Sequence, residues 1–283
     1  MIRFGRWATP HATRAKAGRL RRRLIWTFAA AGGLLVLFVV WPLLRTLLGT
    51  SPAALWQALI DPTVRDSVLV TFYAATWATA LALLIGVPLA YVLARTDFPG
   101  KRLVEGVINL PIVVPHTAAG IALLLVLGRQ SLLGRFFGLL GIRFVDAVPG
   151  IVAGMLFVSL PFLVTAARDA IATVDPELER VAETMGATPW QAVRYVTLPM
   201  AWRGIMSGAA MMWGRAISEF GAVVILAYHP RIVPVLVYER FSGFGLSSAT
   251  PVAVWLILSS LLVFVALRLL AGPDHNLPTD DDL

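Results

Sequence analysis

Charged and hydroxyl side chains inside apolar stretches are the residues of this sequence best suited to chemistry. Every fourth residue from position 207 falls on one face of a predicted helix, and that face carries Ser207, Met211, Arg215 and Glu219. Ser218 lies beside this face. Arg215 lies near the middle of the stretch, where exposure of its charge to lipid would cost at least ~2.5 kcal/mol. It must therefore face a partner or water, and Glu219, four residues on, is the expected partner.

Two interpretations of this face stay open on the sequence alone. In the first, Arg215 and Glu219 form an ion pair that holds two helices together. In the second, the face lines a passage in which Arg215 or Ser218 meets an anion. The same residue types serve both purposes, so their pattern does not separate them.

A second unusual stretch is Pro111–Gly120, where two prolines stand four residues apart. Each proline removes a helical hydrogen bond and leaves a carbonyl free. Irregular backbone at membrane depth is tolerated only where protein or water covers it. We therefore predict a kink that lines a pore, with His116 and Thr117 beside it. His116 either binds or titrates there, or it satisfies a free carbonyl.

The composition identifies the class of protein that must position these residues. Hydrophobic residues make up 58% of the chain and charged residues 14%, whereas soluble domains carry roughly 25% charged residues. The mean hydropathy is +0.78, which indicates a polytopic membrane protein. The chain has no cysteine, which excludes a disulfide framework, an iron–sulfur cluster and a thiolate zinc site.

The apolar pattern predicts an all-α protein with six transmembrane helices. The predicted spans are 24–44, 67–94, 103–127, 148–171, 204–227 and 251–270. Together they form one permease domain, residues 24–271, between a basic tail (1–23) and a C-terminal tail (272–283), both predicted to be unstructured. We also expect Pro161 to interrupt the fourth span, and one short helix within the loop 45–66.

Charge predicts which side of the membrane each loop faces. Eight of the 24 Lys and Arg residues lie in the first 23 positions, which is typical of a cytoplasmic anchor rather than a nucleic-acid site. Six spans put both termini on one side, so we predict that both are cytoplasmic. The loops 45–66, 128–147 and 228–250 then lie outside.

The long amphipathic segment 175–199 is predicted to form two helices that meet at a bend. Asp175 caps the first helix, and Gly186 ends it because helices often close on a residue with positive φ. Thr188 and Gln191 have the spacing of a capping box for the second helix. We expect this second helix to end before Pro199.

This segment resembles the cytoplasmic "EAA" loop of ABC-importer permeases, whose consensus is E-A-A, three residues, G, nine residues and I-x-L-P. Ala182, Gly186 and the pair Leu198-Pro199 fall at the consensus spacing. Arg180 occupies the leading Glu position, with an acid one residue before it and another three residues after it. The resemblance implies that the loop docks on an ATPase through Glu179, Arg180, Ala182, Glu183, Gly186, Ala187 and Trp190.

A second resemblance narrows the family. The stretch 213–223 is similar to the "ARALxEFGA" element of the importer permeases for oxyanions, and 227–230 and 234–241 are most similar to its molybdate/tungstate members. The resemblance covers roughly 67–270. It implies a type I importer-permease fold and an anion pathway lined by Ser207, Arg215, Ser218, Glu219, His116 and Thr117.

The family also implies partners. Two copies of the chain would form the pore, a separate ATPase dimer would bind ATP and Mg²⁺, and an extracytoplasmic binding protein would deliver the anion. The chain itself has no G-x-x-x-x-G-K-[ST] phosphate loop and no catalytic motif. We therefore expect a transport subunit of the cell membrane, surrounded by lipid, with no cofactor or metal of its own and no nucleic-acid partner.

Two alternatives stay open. In the first, the substrate belongs to the sulfate/thiosulfate group of the same family, since the permease sequence does not discriminate among these anions. In a different class, an ion-coupled secondary anion transporter would use Arg215, Glu219 and His116 as its coupling residues. Such a transporter would have no need for a capped helix pair in a cytoplasmic loop.

Overall fold

The structure, a computed structural model, describes residues 10–271 of the chain and the side chains of residues 21–22 and 24–265. The described residues fold into helices joined by short connections. The chain divides into two units, Met1–Ser51 and Pro52–Leu283. The first unit contains α1 (Pro10–Leu48).

The described part of the second unit contains twelve helices. They are α2 (Pro52–Ile60), α3 (Pro62–Arg95), α4 (Lys101–Val113), α5 (His116–Leu127), α6 (Leu132–Leu139), α7 (Val148–Ala172), α8 (Pro176–Thr184), α9 (Pro189–Ala192), α10 (Leu198–Ile217), α11 (Gly221–Leu226), α12 (Val233–Phe244) and α13 (Leu246–Ala271). A π-helical turn, Val193–Thr197, joins α9 to α10.

Helix α7 is the centre of the second unit, with α3 and α10 packed most extensively against it. Ala74, Ala78 and Ala82 on α3 are buried, and such small residues let helix backbones approach closely. One apolar cluster lies along the N-terminal half of α7 and includes Met155 and Trp213. Another lies along its C-terminal half and includes Leu93 and Ile171.

The membrane-spanning character of the helices agrees with the prediction in part. Four described segments are long and apolar enough to cross a membrane: Leu24–Leu48, Pro62–Arg95, Val148–Ala172 and Leu246–Val265. The bent pair α4–α5 makes a fifth if it is counted as one span. The all-α prediction is confirmed over the described residues, and the number of six spans stays a prediction.

The expectation of an unstructured N-terminal tail is wrong for residues 10–23. Helix α1 begins at Pro10, well before the apolar run. Its first turns are rich in Ala, Arg, Lys and Leu, which have high helix propensity and extend the helix beyond the apolar segment. Residues 1–9 and the predicted tail 272–283 lie outside the described residues.

The predicted kink in the third span is a complete break. Helices α4 and α5 meet at an angle of 115°. The break falls at Val114, which is extended (φ −69°, ψ 130°) because the following Pro115 disfavours helical backbone in the preceding residue. Pro111 is buried inside α4 and does not interrupt it.

Proline 161 does not interrupt the fourth span, which corrects that prediction. Helix α7 runs without a break from Val148 to Ala172. Pro161 is buried against neighbouring helices, and such packing allows proline inside a membrane helix.

The second helix of the segment 175–199 was predicted to end before Pro199, and this prediction is wrong. The Leu198 N–H donates to the Val193 carbonyl, a five-residue spacing that widens the helix into a π turn. Pro199 then falls in the first turn of α10, where its missing N–H is harmless. The segment therefore continues directly into α10.

The predicted fifth span is also broken. Helix α10 ends at Ile217, and α11 begins at Gly221. Two segments predicted as outside loops contain helices: α6 lies within 128–147, and α12 and the first residues of α13 lie within 228–250. The short helix predicted within 45–66 is confirmed as α2. Helix α12 buries Val233, Val235 and Leu236, whereas α6 buries none of its residues.

The two broken helix pairs touch through glycine. A Cβ on Gly120 of α5 would lie 2.8 Å from the Ala222 carbonyl oxygen and 2.9 Å from the Ile225 Cβ. A Cβ on Gly221 would lie 2.7 Å from the Cβ of His116. The backbones of α5 and α11 are thus in direct contact.

We expect Gly120→Ala to lower the stability of the folded chain by about 1–3 kcal/mol, because the added methyl group overpacks this contact. The measurement is the thermal midpoint of the purified chain in detergent. Gly106→Ala on α4 is the matched control, since its Cβ would meet nothing within 4 Å. Equal midpoints for the two variants would contradict the close contact.

Candidate functional site

A cluster of four polar side chains lies where the two helix breaks meet, and we call it the charged cluster: Arg215, Ser218, Glu219 and His116. Arg215 belongs to the last turn of α10, and His116 is the first residue of α5. Ser218 and Glu219 lie in the break between α10 and α11. The breaks that prolines and glycines impose therefore bring these groups together.

Glu219 is fully buried and is the centre of the cluster. Its Oε2 lies 2.8 Å from Nη2 of Arg215 and 2.9 Å from Nδ1 of His116. Its Oε1 accepts a hydrogen bond of 2.8 Å from the Ala222 N–H. Both carboxylate oxygens are thus occupied, as a buried charge requires.

Arg215 faces the open side of the cluster. Its Nη1 donates to the Ser218 hydroxyl at 3.0 Å, and its Nη2 lies 2.8 and 3.0 Å from the two ring nitrogens of His116. The side chains of Arg215 and His116 are 22% and 37% exposed, whereas that of Glu219 is 0% exposed. Arg215, His116 and Ser218 are therefore the accessible side chains of the cluster.

The structure brings four of the six predicted pathway residues into one site. The Arg215–Glu219 contact is present, although Glu219 lies beyond the end of α10. Thr117 is exposed beside His116. Ser207 is exposed on α10, two turns from Arg215, and among the described residues it makes no hydrogen bond to the cluster. Arg215, Ser218, Glu219 and His116 therefore lie together, and the role of all six residues in an anion pathway stays a prediction.

Sequence reasoning missed a polar seam between α4 and α7. Arg168 forms an ion pair with Glu105 at 3.0 Å, and the Thr165 hydroxyl lies 3.4 Å from the Asn109 side-chain oxygen. Glu105 and Arg168 both stand at the edges of apolar runs, and that position was the available signal. Their pairing depends on helix packing.

A second site surrounds Glu179 on α8. Its Oε2 accepts from the Tyr91 hydroxyl at 2.8 Å, and its Oε1 lies 2.9 Å from both Nε and Nη2 of Arg95. Oε1 also accepts from the Thr197 hydroxyl at 2.5 Å. Glu179 therefore fastens α8 to the end of α3 and to the π turn.

The hydrogen bonds to Glu179 determine its charge. Burial of the side chain raises its pKa, but the hydrogen bonds from Thr197 and Tyr91 and the positive charge of Arg95 outweigh burial. The pKa of Glu179 is consequently below its ordinary value of 4.5. The carboxylate is ionised at neutral pH, and the ion pair with Arg95 is complete.

The other residues predicted for coupling lie around this anchor. Asp175 caps α8, Thr188 and Gln191 form the predicted capping box, and Gly186 has φ +97°, which confirms these local predictions. Ala182 is buried, and Ala187 is half-buried. Arg180 pairs with Glu177 on the surface, and Glu183 is exposed.

The face of this segment that points away from Glu179 is apolar and exposed. Its residues are Leu178 (39% exposed), Val181 (52%), Met185 (80%) and Trp190 (65%). The large apolar side chains of this amphipathic segment are therefore turned outward from the chain rather than into its core. Apolar surface of this kind marks a site for a partner.

The helical fold, its apolar spans and the charged cluster at their breaks define an integral membrane transport component. The model of the family described as binding-protein-dependent transport system inner membrane component matches residues 82–272. The chain belongs to this family. The predicted importer-permease family and the predicted role as a transport subunit rather than an enzyme are thereby confirmed.

Individual relatives agree with this assignment. The molybdate/tungstate transport system permease protein WtpB of Thermococcus kodakarensis is 43% identical over 250 residues, which cover 88% of this chain and 96% of that protein. A probable sulfate transport system permease protein of Chlorokybus atmophyticus is 33% identical, and the match covers 77% of this chain and 75% of that protein.

A solved structure supports the fold. The crystal structure of a bacterial ABC transporter involved in the import of the acidic polysaccharide alginate superposes with a TM-score of 0.71 at 14% identity. The superposition covers 91% of this chain and 98% of that one. The type I importer-permease fold predicted from the sequence is therefore confirmed.

We expect Glu179→Gln to loosen α8, because the neutral amide loses the ion pair with Arg95. Amide hydrogen exchange across residues 176–184 should accelerate about tenfold, which corresponds to about 1.4 kcal/mol. Glu177→Gln is the matched control, since the Glu177–Arg180 pair is exposed. Equal exchange in both variants would contradict the anchoring role.

The same anchor should depend on pH. Because the pKa of Glu179 is lowered in the folded chain, its contribution is complete above the ordinary pKa of 4.5 and is lost as pH falls through the lower folded value. Exchange of α8 should therefore accelerate below about pH 4.5 in the wild type, beyond the intrinsic effect of pH, and less so in Glu179→Gln.

Proposed function

We propose that this chain is the permease subunit of an ATP-driven importer and forms the membrane pathway for a tetrahedral oxyanion, molybdate or tungstate. The observation that carries this proposal is the charged cluster. It presents a guanidinium group, a hydroxyl and an imidazole at a break between helices inside the membrane domain. The relatives named for molybdate and tungstate, at 43% identity, favour these anions over sulfate.

The low net charge of the cluster suits an anion that binds weakly and passes through, rather than one that is held tightly. Glu219 neutralises much of Arg215, since the two groups are 2.8 Å apart. A doubly charged anion therefore meets a site with hydrogen-bond donors but little net positive charge. Binding in such a site is weak, and weak binding lets the anion leave on the other side.

The proposal includes a second copy of the chain. The stretch Leu24–Leu48 of α1 is long and apolar enough to cross a membrane. A separate apolar cavity of about 530 Å³ is lined by residues of α3, α10 and α13, among them Trp202 and Trp213. Lipid or a second permease chain would cover these surfaces, and a homodimer puts the pore between two copies.

The ATPase partner would bind the exposed apolar face of α8 and the adjoining turn. ATP and Mg²⁺ belong to that partner, and this chain holds no cofactor in our proposal. The loaded binding protein would dock on the opposite side of the membrane. Both termini and the segment 175–199 are then cytoplasmic, with six spans that cross the cell membrane.

Reconstitution tests this proposal. The chain would be placed in liposomes with its neighbouring ATPase, and ATP hydrolysis and anion uptake would be measured with binding protein loaded with molybdate, tungstate or sulfate. We expect molybdate or tungstate to stimulate hydrolysis and uptake most. Gly186→Ala should weaken that stimulation, because Gly186 has positive φ, whereas Gly186→Asn should retain more of it.

Two outcomes would favour the alternatives. If sulfate stimulates best, the chain is a sulfate/thiosulfate permease of the same family. If no loaded binding protein stimulates hydrolysis and a proton gradient drives uptake instead, the chain is a secondary transporter. In that case Arg215, Glu219 and His116 become the candidates for ion coupling.

We expect Arg215→Gln to reduce anion uptake about tenfold to hundredfold, since a charge-assisted hydrogen bond contributes about 1.5–3 kcal/mol. Arg215→Lys should retain part of the uptake, because it keeps the charge but loses the planar fork. Arg203→Gln, exposed on the same helix, is the control. Uptake that is equal in all three variants would exclude the cluster from the pathway.

A further inference from the structure

Three arginines line a cavity of about 400 Å³ beyond the C-terminal end of α5. Arg129 follows α5, Arg135 lies on α6, and Arg143 precedes α7. A cavity of this size lies within the range of ~300–1,000 Å³ typical of small-molecule sites. The pathway described above does not use these residues.

The backbone around this cavity is held by specific contacts. The Ser131 hydroxyl caps α6 by accepting from the Gly134 N–H at 2.9 Å, and it also donates to the Val126 carbonyl. The Ile142 N–H donates to the Phe137 carbonyl at 2.9 Å. Phe137 and Phe144 stack edge to face at 5.3 Å. The three arginines therefore project from fixed positions.

The cavity concentrates positive charge without an internal counter-ion. Among the described side chains, no carboxylate lies within ion-pair distance of Arg129, Arg135 or Arg143, whereas Arg231 is paired with Glu239. The nearest acid along the chain, Asp146, accepts from the backbone N–H groups of Tyr228 and His229 instead. Like charges in one cavity repel each other, and a bound anion removes that repulsion.

We propose that Arg129, Arg135 and Arg143 form a second anion site, which binds a tetrahedral oxyanion group. Guanidinium groups donate paired hydrogen bonds that fit such oxygens. Two sources supply this chemistry: the free transported anion, or the phosphate of a lipid headgroup. The lipid source is relevant because Leu132 and Leu139 on α6 are 88% and 87% exposed beside the arginines.

The position of the site gives it a place in transport. Helix α5 runs from His116 in the charged cluster to Leu127 at the cavity. Its length separates the two sites by ~17 Å at 1.5 Å per residue. This order of passage rests on the proposed function: with cytoplasmic termini, the cavity lies on the outer side and precedes the charged cluster.

Binding measurements on the full chain in nanodiscs test the second site. In phosphatidylcholine nanodiscs, tungstate binding would be measured by equilibrium dialysis with elemental analysis. In nanodiscs that contain phosphatidylglycerol, lipid retained after delipidation would be counted by mass spectrometry. We expect the double variant Arg135→Gln/Arg143→Gln to lose at least about tenfold in one of these two quantities.

Two further variants make the test specific. Arg65→Gln removes an exposed arginine outside the cavity and should change neither quantity. Gly138→Leu keeps all three arginines but narrows the cavity, and a Cβ at Gly138 meets nothing within 4 Å, so the fold should persist. It should weaken binding as the double variant does. Whichever of the two ligands, tungstate or lipid phosphate, these variants fail to bind is the natural occupant of the site.

Several outcomes would overturn this second site. They are a wild type that binds neither tungstate nor lipid phosphate, a double variant that binds both normally, or a Gly138→Leu chain with normal binding. Loss of affinity for the binding protein alone would make the arginines a docking patch instead. Uptake in proteoliposomes is a separate readout. If the wild type takes up the anion as expected and the double variant binds tungstate and lipid like the wild type, the second site is overturned and the proposed function is not.

Discussion

The buried carboxylate of Glu219 is the interaction on which the membrane domain most depends. A charge that is 0% exposed is tolerated only when every oxygen has a partner, and here Arg215, His116 and the Ala222 N–H supply them. These partners belong to α10, α5 and α11. One side chain thus joins two broken helix pairs, whose free backbone groups would otherwise be costly at membrane depth.

A second carboxylate, Glu179, acts in the same way at the other end of α10. It connects α8 to Arg95 on α3 and to Thr197 in the π turn. That turn continues without interruption into α10, which carries Arg215 in its last turn. A single helix of twenty residues, ~30 Å long, therefore connects the π turn beside α8 with the charged cluster. A movement of α8 has a direct mechanical route to the cluster.

Proline and glycine have different effects at different positions of this fold. Pro115 breaks a helix because Val114 before it becomes extended, whereas Pro161 is absorbed within α7 by close packing. Pro199 is accommodated by widening the preceding turn into a π helix. The surroundings of each proline set its effect on the helix. A rule based on the proline residue alone would predict a helix break at all three positions.

The sequence by itself determined the class of protein, because hydropathy, spacing and capping are local properties. It predicted the helices, the caps at Asp175 and Thr188, and the Arg215–Glu219 contact. Only the tertiary structure decided where the spans break, that His116 meets Glu219, and that Glu179 rather than Glu183 pairs with Arg95. These contacts join residues up to about a hundred positions apart, so helix packing, which sequence spacing does not encode, sets them.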